Sequence, residues 1–405
     1  VEDLLFLAHR IPFPPNKGDK IRSWNILKHL ASRYRVRLGC LIDDPLDHQY
    51  VPALQGQCEE VFAVPIEPKW QRVKAILAAR PGLPLSARYF YAPALADWAR
   101  RTLDIHRIRR VFVFSTPMMA SLPPGDGLNT VLDLVDVDSE KWREMAGKTP
   151  FPRNLIYARE ARTLLAFERA AAARARHAIL ASPEEAALFV SLAPEAAART
   201  TWMINGVDLD YFSPSHVFAR PFADDRPAIV FTGDMSYWPN VEAVTWFARS
   251  VLPALLTRSP RPRFAIVGAR PAEAALALAG DDILVTGRVD DVRPYIAHAG
   301  AVVAPLLLAR GLQNKVLEGM AMGKVVVATR AAEQGLDVGR HGGVLIADGP
   351  EDMALRVGET LDGVHDKIRY TARAIAESRF AWPTVLARLD DLLDGLENTD
   401  RRGGR

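Results

Sequence analysis

Lys315 and Glu318 stand one helical turn apart in the run Arg310-Gly311-Leu312-Gln313-Asn314-Lys315-Val316-Leu317-Glu318-Gly319, which ends at Gly323. A glycine-containing loop, periodic apolar residues and a closing glycine predict a short helix from about Leu312 to Met322. The first N–H groups of a helix lack internal partners and, with the helix dipole, favour an anion. A lysine in that first turn opposes the dipole unless an anion is bound, so Lys315 points to a phosphate-like ligand. Glu318 shares its face and can accept both hydroxyls of a ribose. A solvated i,i+3 Lys–Glu pair is the plainer alternative, and the small apolar residues around it argue against that. Arg310, Gly311, Gln313 and Asn314 border the same helix start.

Two further turns follow apolar runs in this half. Gly233 and Asp234 end Phe231-Thr232, and Gly287 precedes Arg288 and Val289, where backbone groups can read a flat base edge. In the first half, Arg10-Ile11-Pro12-Phe13-Pro14-Pro15-Asn16-Lys17-Gly18-Asp19-Lys20 follows the opening apolar run. Gly18 lets the backbone approach a ligand, just before a helix whose start favours an anion, with Asp19 and Lys20 beside it. Farther on, Leu132-Asp133-Leu134-Val135 runs into Asp136, Asp138 and Ser139. A carboxylate there can orient an acceptor hydroxyl or take its proton; Asp138 and Ser139 are equally suited to capping a helix. Asp136 and Asp138 have a spacing that can hold a metal, but the fold read below is not the single-domain type that uses it so, and no metal is expected.

The elements that must position these residues alternate. Strands are predicted at 4–8, 36–41, 61–65, 111–114, 131–134 and 178–181, and again at 228–232, 263–267, 283–286, 301–305, 324–328 and 343–346. Helices are predicted between them, at 21–32, 155–176, 240–256, 292–298, 312–322 and 351–361. Such β-α-β alternation predicts parallel sheets covered on both faces, and two blocks predict two doubly wound α/β domains. The turn at Asn205-Gly206 and the prolines Pro214 and Pro221 mark the break. Domains are expected at 1–212 and 213–379, with a helix at 380–396 packing back on the first and a disordered tail at 397–405.

At 405 residues, two domains are the natural reading, and a net charge of +3 gives no pull toward nucleic acid. Two cysteines, Cys40 and Cys58, form no metal or redox motif. There is no G-x-G-x-x-G after the first strand, no G-x-S-x-G and no H-E-x-x-H. Gly319…Gly323-Lys324 falls one residue short of a P-loop and lacks its Ser or Thr. With neither leader nor membrane-length apolar run read, the expectation is a cytoplasmic protein. Attachment to the inner face of the cell membrane stays open, because 70–88 mixes Arg72, Lys74, Arg80 and Arg88 with apolar and aromatic residues.

At these residues the sequence resembles the retaining GT-B transferases of glycosyltransferase family 4. The resemblance is carried by Asn205-Gly206-Val207-Asp208-Leu209-Asp210-Tyr211-Phe212-Ser213-Pro214 and by Gly311…Lys315…Glu318 leading to Ala321-Met322-Gly323-Lys324-Val325-Val326-Val327. Residues 14–23 and 136–142 resemble a bacterial subgroup associated with exosortase (PEP-CTERM) exopolysaccharide systems. The resemblance implies two Rossmann-like domains facing a cleft, and transfer of a sugar from a nucleoside diphosphate sugar to an acceptor hydroxyl, with no metal or other cofactor. It implies a glycan or lipid-linked acceptor, phosphate contact by Lys315, ribose contact by Glu318, and diphosphate approach at Gly18. Arg310 stands where the family has the first of two glutamates, the second falling on Glu318, and its planar fork suits a diphosphate or a carboxylate-bearing sugar. A GT-B sugar-nucleotide epimerase or a non-catalytic nucleotide-sugar-binding protein are the alternatives.

Overall fold

The computed structural model describes residues 1–77, 82–125, 127–308 and 312–400. The chain divides into two compact units, Val1–Ile204 with the segment from Leu386, and Asn205–Val385.

The first unit holds a seven-stranded sheet: β1 (Asp3–Ala8), β2 (Arg35–Ile42), β3 (Glu60–Pro65), β4 (Arg110–Phe114), β5 (Asn129–Val135), β6 (His177–Leu180) and β7 (Thr200–Trp202). Their order is β3-β2-β1-β4-β5-β6-β7, and every pairing is parallel. Leu4 through Ala8 are fully buried, as a strand covered on both faces requires. The three-residue β7 escapes a sequence reading because Thr200-Thr201-Trp202 offers neither an apolar run nor a full alternation.

The second unit repeats the design with six strands: β8 (Ala228–Thr232), β9 (Arg263–Val267), β10 (Ile283–Val285), β11 (Ala299–Ala304), β12 (Val326–Thr329) and β13 (Leu345–Ala347). Their order is β10-β9-β8-β11-β12-β13, again parallel throughout. In each sheet the strand order reverses beside the first strand, between β1 and β4 and between β8 and β11. Ligands of doubly wound sheets bind at that reversal, off the carboxyl ends of the strands.

Three expectations are corrected. The division falls at Ile204/Asn205 rather than after 212, because the 205–214 segment is bonded onto the second unit. Asn205 Nδ2 donates to Asn314 Oδ1 (3.2 Å), Arg293 stacks on Tyr211 (3.7 Å), and Arg373 Nη1 donates to the Phe212 carbonyl (2.8 Å). The expected helix 240–256 is Trp238–Trp246, then a π-helical turn at Phe247–Val251 and a last turn at Leu252–Leu255; Pro253 withholds the N–H a regular ladder needs. The final helix, Trp382–Asp400, runs through 397–400, which were expected to be disordered; residues 401–405 lie outside the described residues.

Candidate functional site

The reversal of the second sheet is bordered by the turn after β8 and the segment after β11. That segment leads into the helix Asn314–Ala321. Gly319 places this helix close on the sheet: a Cβ there would come within 2.7 Å of Val326 Cγ2. The tight packing turns Lys315 inward. Its ammonium lies 3.3 Å from Asn240 Oδ1 and 3.1 Å from Gln313 Oε1, with the Phe231 ring centroid at 5.2 Å. All three neighbours are neutral. Burial pushes the Lys315 ammonium down to about 8, and Glu318 pulls it back up. Burial likewise lifts the Glu318 carboxyl to about 7, against the pull of Lys315. A buried cation whose close partners are neutral lowers its energy by taking an anion. The solvated-pair alternative is thereby set aside, because Lys315 is buried.

Asn240 carries the construction. Its Nδ2 donates to the Asp234 carbonyl (2.9 Å) while its Oδ1 accepts from Lys315. One buried amide thus ties the turn after β8 to the helix after β11. The backbone is compressed in the same turn: a Cβ on Gly268 would lie 1.7 Å from the Gly233 carbonyl oxygen. The Asp234 carboxylate is committed locally, accepting from Ser236 N (2.9 Å) and Ser236 Oγ (2.7 Å) and pairing with Arg270. Asn314 is bonded to Asn205. Arg288 is exposed and Val289 half-buried; they follow the edge strand β10, two strands from β8. Arg310 and Gly311 lie outside the described residues.

In the first unit, Gly18 opens the helix Gly18–Arg33. Burial raises the Asp19 carboxyl, but His9 and the Arg10 guanidinium (2.7 Å) hold it well below the usual carboxylate range. Lys20 differs from its expected role. The helical period turns it inward, and its buried ammonium pairs with Asp47 at 2.6 Å. His9 follows β1 with Nε2 3.4 Å from Asp19 Oδ2 and a buried Nδ1 that has no hydrogen-bond partner. A lone histidine beside the proline loop was its only trace in the sequence.

Asp136 follows Val135, a β-branched residue held at φ 70°. That left-handed conformation is rare for such a side chain and is kept only where surroundings enforce it. Here they do: Glu185 Oε2 accepts from Val137 N (2.8 Å), and Glu168 accepts from Ser139 N (3.1 Å) and Ser139 Oγ (2.6 Å). Ser139 is therefore neither a helix cap nor open to a ligand; the residue before the helix Asp138–Lys148 is Val137. Lys141 bridges Asp136 Oδ2 (2.7 Å) and Asp138 Oδ1 (2.9 Å), and Asp136 Oδ1 is buried without a partner. Among the described residues no group of His, Cys, Asp and Glu is arranged to hold a metal ion.

Residues 226–362 match the family described as glycosyl transferases group 1. No curated protein matches the chain. Among solved structures, HepE of Anabaena in complex with UDP and glucose superimposes with TM-score 0.66 at 16% identity, covering 98% of this chain and 100% of that one. WaaG, a glycosyltransferase involved in lipopolysaccharide biosynthesis, gives TM-score 0.68 at 16% identity, over 96% and 99% of the two chains. Sucrose-phosphate synthase of Thermosynechococcus elongatus gives 0.69 at 15% identity, over 98% and 100%. The group 1 glycosyl transferase match lies within the second unit, and the whole chain has the GT-B fold of these structures.

In this GT-B chain the sequence-chosen residues fall into two groups, one per unit. Gly233, Gln313, Lys315 and Glu318 gather around the β8–β11 reversal. Gly18 and Asp19 stand beside β1, and Asp136 and Asp138 beside β5. Asn240, Glu168 and Glu185 were missed, since each works through a partner distant in sequence. The buried Glu168 carboxyl is raised to about 8 by burial, with Ser139 opposing. A carboxyl raised on folding makes the folded state the tighter proton binder, so stability falls as pH climbs from about 4.5 through 8. Glu168→Gln keeps an acceptor for Ser139 N and removes the charge. Its melting temperature relative to wild type should therefore rise by several degrees between pH 6 and pH 8.5, measured by calorimetry; a constant difference would show that Glu168 does not titrate there.

Proposed function

We propose that the protein moves a sugar, with retention, from a uridine diphosphate sugar to the hydroxyl of a glycan or lipid-linked acceptor, in exopolysaccharide or cell-surface glycan synthesis. The observation that carries this reading is Lys315, a buried ammonium among neutral partners at the strand reversal of the second sheet. The leaving diphosphate needs positive charge already in place, and Lys315 with the helix N–H groups supplies it. Glu318 receives the ribose hydroxyls. Arg310 adds a second cation, so Arg310→Glu should abolish donor turnover. Asp136 orients the acceptor hydroxyl, with Asp138 tied to it through Lys141. The uridine base is supported by HepE, whose structure holds UDP and glucose. The exosortase-system assignment rests on the resemblance of residues 14–23 and 136–142. A cytoplasmic position, where nucleotide sugars are at hand, suits this reaction.

UDP release from UDP-glucose, followed with and without a panel of glycoside acceptors, tests the reading. Release should rise with an acceptor hydroxyl and persist in excess EDTA, since the charge is supplied by side chains. Conversion of the donor to an epimer without acceptor would replace the proposal with an epimerase. Failure of UDP to raise the melting temperature would remove the uridine donor, and failure of every common nucleoside diphosphate would remove the donor site altogether.

A further inference from the structure

The helix Trp238–Trp246 and the turns that extend it to Leu255 differ on their two sides. Asn240, about 200° round from Trp238, is buried and holds Lys315. On the other side a groove of about 620 Å³ opens against Ala272, in the segment after β9. That volume is in the range of small-ligand sites. Trp238, Glu242, Thr245 and Arg249 recur along the groove at the spacing of one helical face, and Trp246 and Ser250 line it too. A regular helix would set Ser250 about 120° round from Trp238. The π-helical turn at Phe247–Val251 takes an extra residue into the turn and brings Ser250 back; such turns recur at functional sites. Trp238 is 45% exposed and Trp246 half-buried. The charged groups of the lining are Glu242 and Arg249, both exposed. Among the described residues neither has a hydrogen-bond or ion-pair partner. Two helical turns, about 10 Å of rise, separate them.

Indoles, a carboxylate and a guanidinium in one groove select a class of ligand. An indole face carries negative potential and attracts partly positive C–H groups. An uncommitted carboxylate accepts from hydroxyls, and a guanidinium donates to them. A sugar ring offers both, an apolar C–H face and a rim of hydroxyls. One charge of each sign gives no preference for an anion or for an anionic bilayer, and among the described residues no helix is long and apolar enough to cross a membrane. The separation of Glu242 from Arg249 suits several linked rings rather than one. We propose that this groove holds a neutral oligosaccharide, a stretch of the chain that the transfer reaction extends, apart from the donor site. The ligand class rests on the sugar-transfer reading. The groove belongs to the second unit, and the basic run 70–88 to the first; residues 78–81 of that run lie outside the described residues.

Titration of the full chain without donor tests it, read by calorimetry and tryptophan fluorescence. The probes are maltoheptaose, cellohexaose, xylohexaose and mannohexaose, neutral chains that differ in ring and linkage. At least one should bind. Saturating UDP should leave its affinity within about twofold, since the groove and Lys315 are on opposite sides of the helix. Trp238→Ala should weaken that binding about tenfold or more. Glu242→Gln/Arg249→Gln should weaken it about fivefold or more. The double variant's melting temperature and its release of UDP from UDP-glucose should stay those of wild type, because both side chains are exposed and neither belongs to the transfer machinery. Absence of binding by all four probes overturns the proposal, as does binding that UDP displaces or that the double variant keeps. A wild-type solution mass twice that of the chain, halved in Trp238→Ala, overturns it too, since the groove would then cover a second copy. Lost UDP release with oligosaccharide binding intact would strike the transfer reading alone, and the reverse would strike this one alone.

Discussion

Lys315→Ala should lower kcat/KM for the donor by about 10²–10³-fold, the usual cost of removing one preorganised group from a developing anion. The fold should hold, because the ammonium's burial already works against its charge and the buried Glu318 carboxyl, once it loses the pull of Lys315, takes a proton instead of standing as an unpaired charge. UDP release kinetics and a melting curve on the same preparation separate the two effects. The wild-type pH profile carries the same signature. Lys315 loses its proton at about 8 in the free protein, so kcat/KM should fall as pH rises through that value. In Lys315→Arg the limb should move to higher pH, even if the planar guanidinium lowers the plateau. Lys315→Ala protein that turns over donor within threefold of wild type would contradict the site as described.

Arg22→Ala should cost stability on the order of 3–5 kcal/mol, read as a lower urea midpoint. Arg22 and Asp133 are both fully buried. The guanidinium donates through Nε to Asp133 Oδ2 (2.7 Å) and through Nη1 to the Met203 carbonyl (2.8 Å). Truncation strands a carboxylate that burial already raises and that Arg22, with a smaller pull from the Val135 N–H, brings down. The loss should therefore shrink as pH is lowered and Asp133 takes a proton. Arg22→Met combined with Asp133→Leu should recover most of it, since apolar groups of similar size can replace a buried ion pair. Equal losses in the single and double variants would mean that packing, not charge, dominates there.

Periodicity and end signals were enough to place β8 and β9 to the residue and to put Lys315 in the first turn of its helix. Both depend on nearest neighbours along the chain. Lys20 shows where that reasoning stops. Its charge beside Gly18 suggested a ligand contact, but Asp47, its actual partner, becomes adjacent only when the chain after β2 returns to the helix Gly18–Arg33. Ser139 fails in the same manner, because Glu168 reaches it from the next helix along. Asn240 lies seventy-five positions from Lys315 and looks like any polar residue at a helix start. Helix tips and strand ends were legible; the groups that hold them in place required the packed fold.

The contact between residues 233 and 268 leaves the second unit no sequence latitude at that point. Even one methyl on residue 268 would occupy the carbonyl oxygen of its neighbour. A saturation library at codon 268, selected for active enzyme, should return a single amino acid. Drift in this lineage has to flow around that fixed point, so specificity can change through the loops beyond it but not through the turn itself.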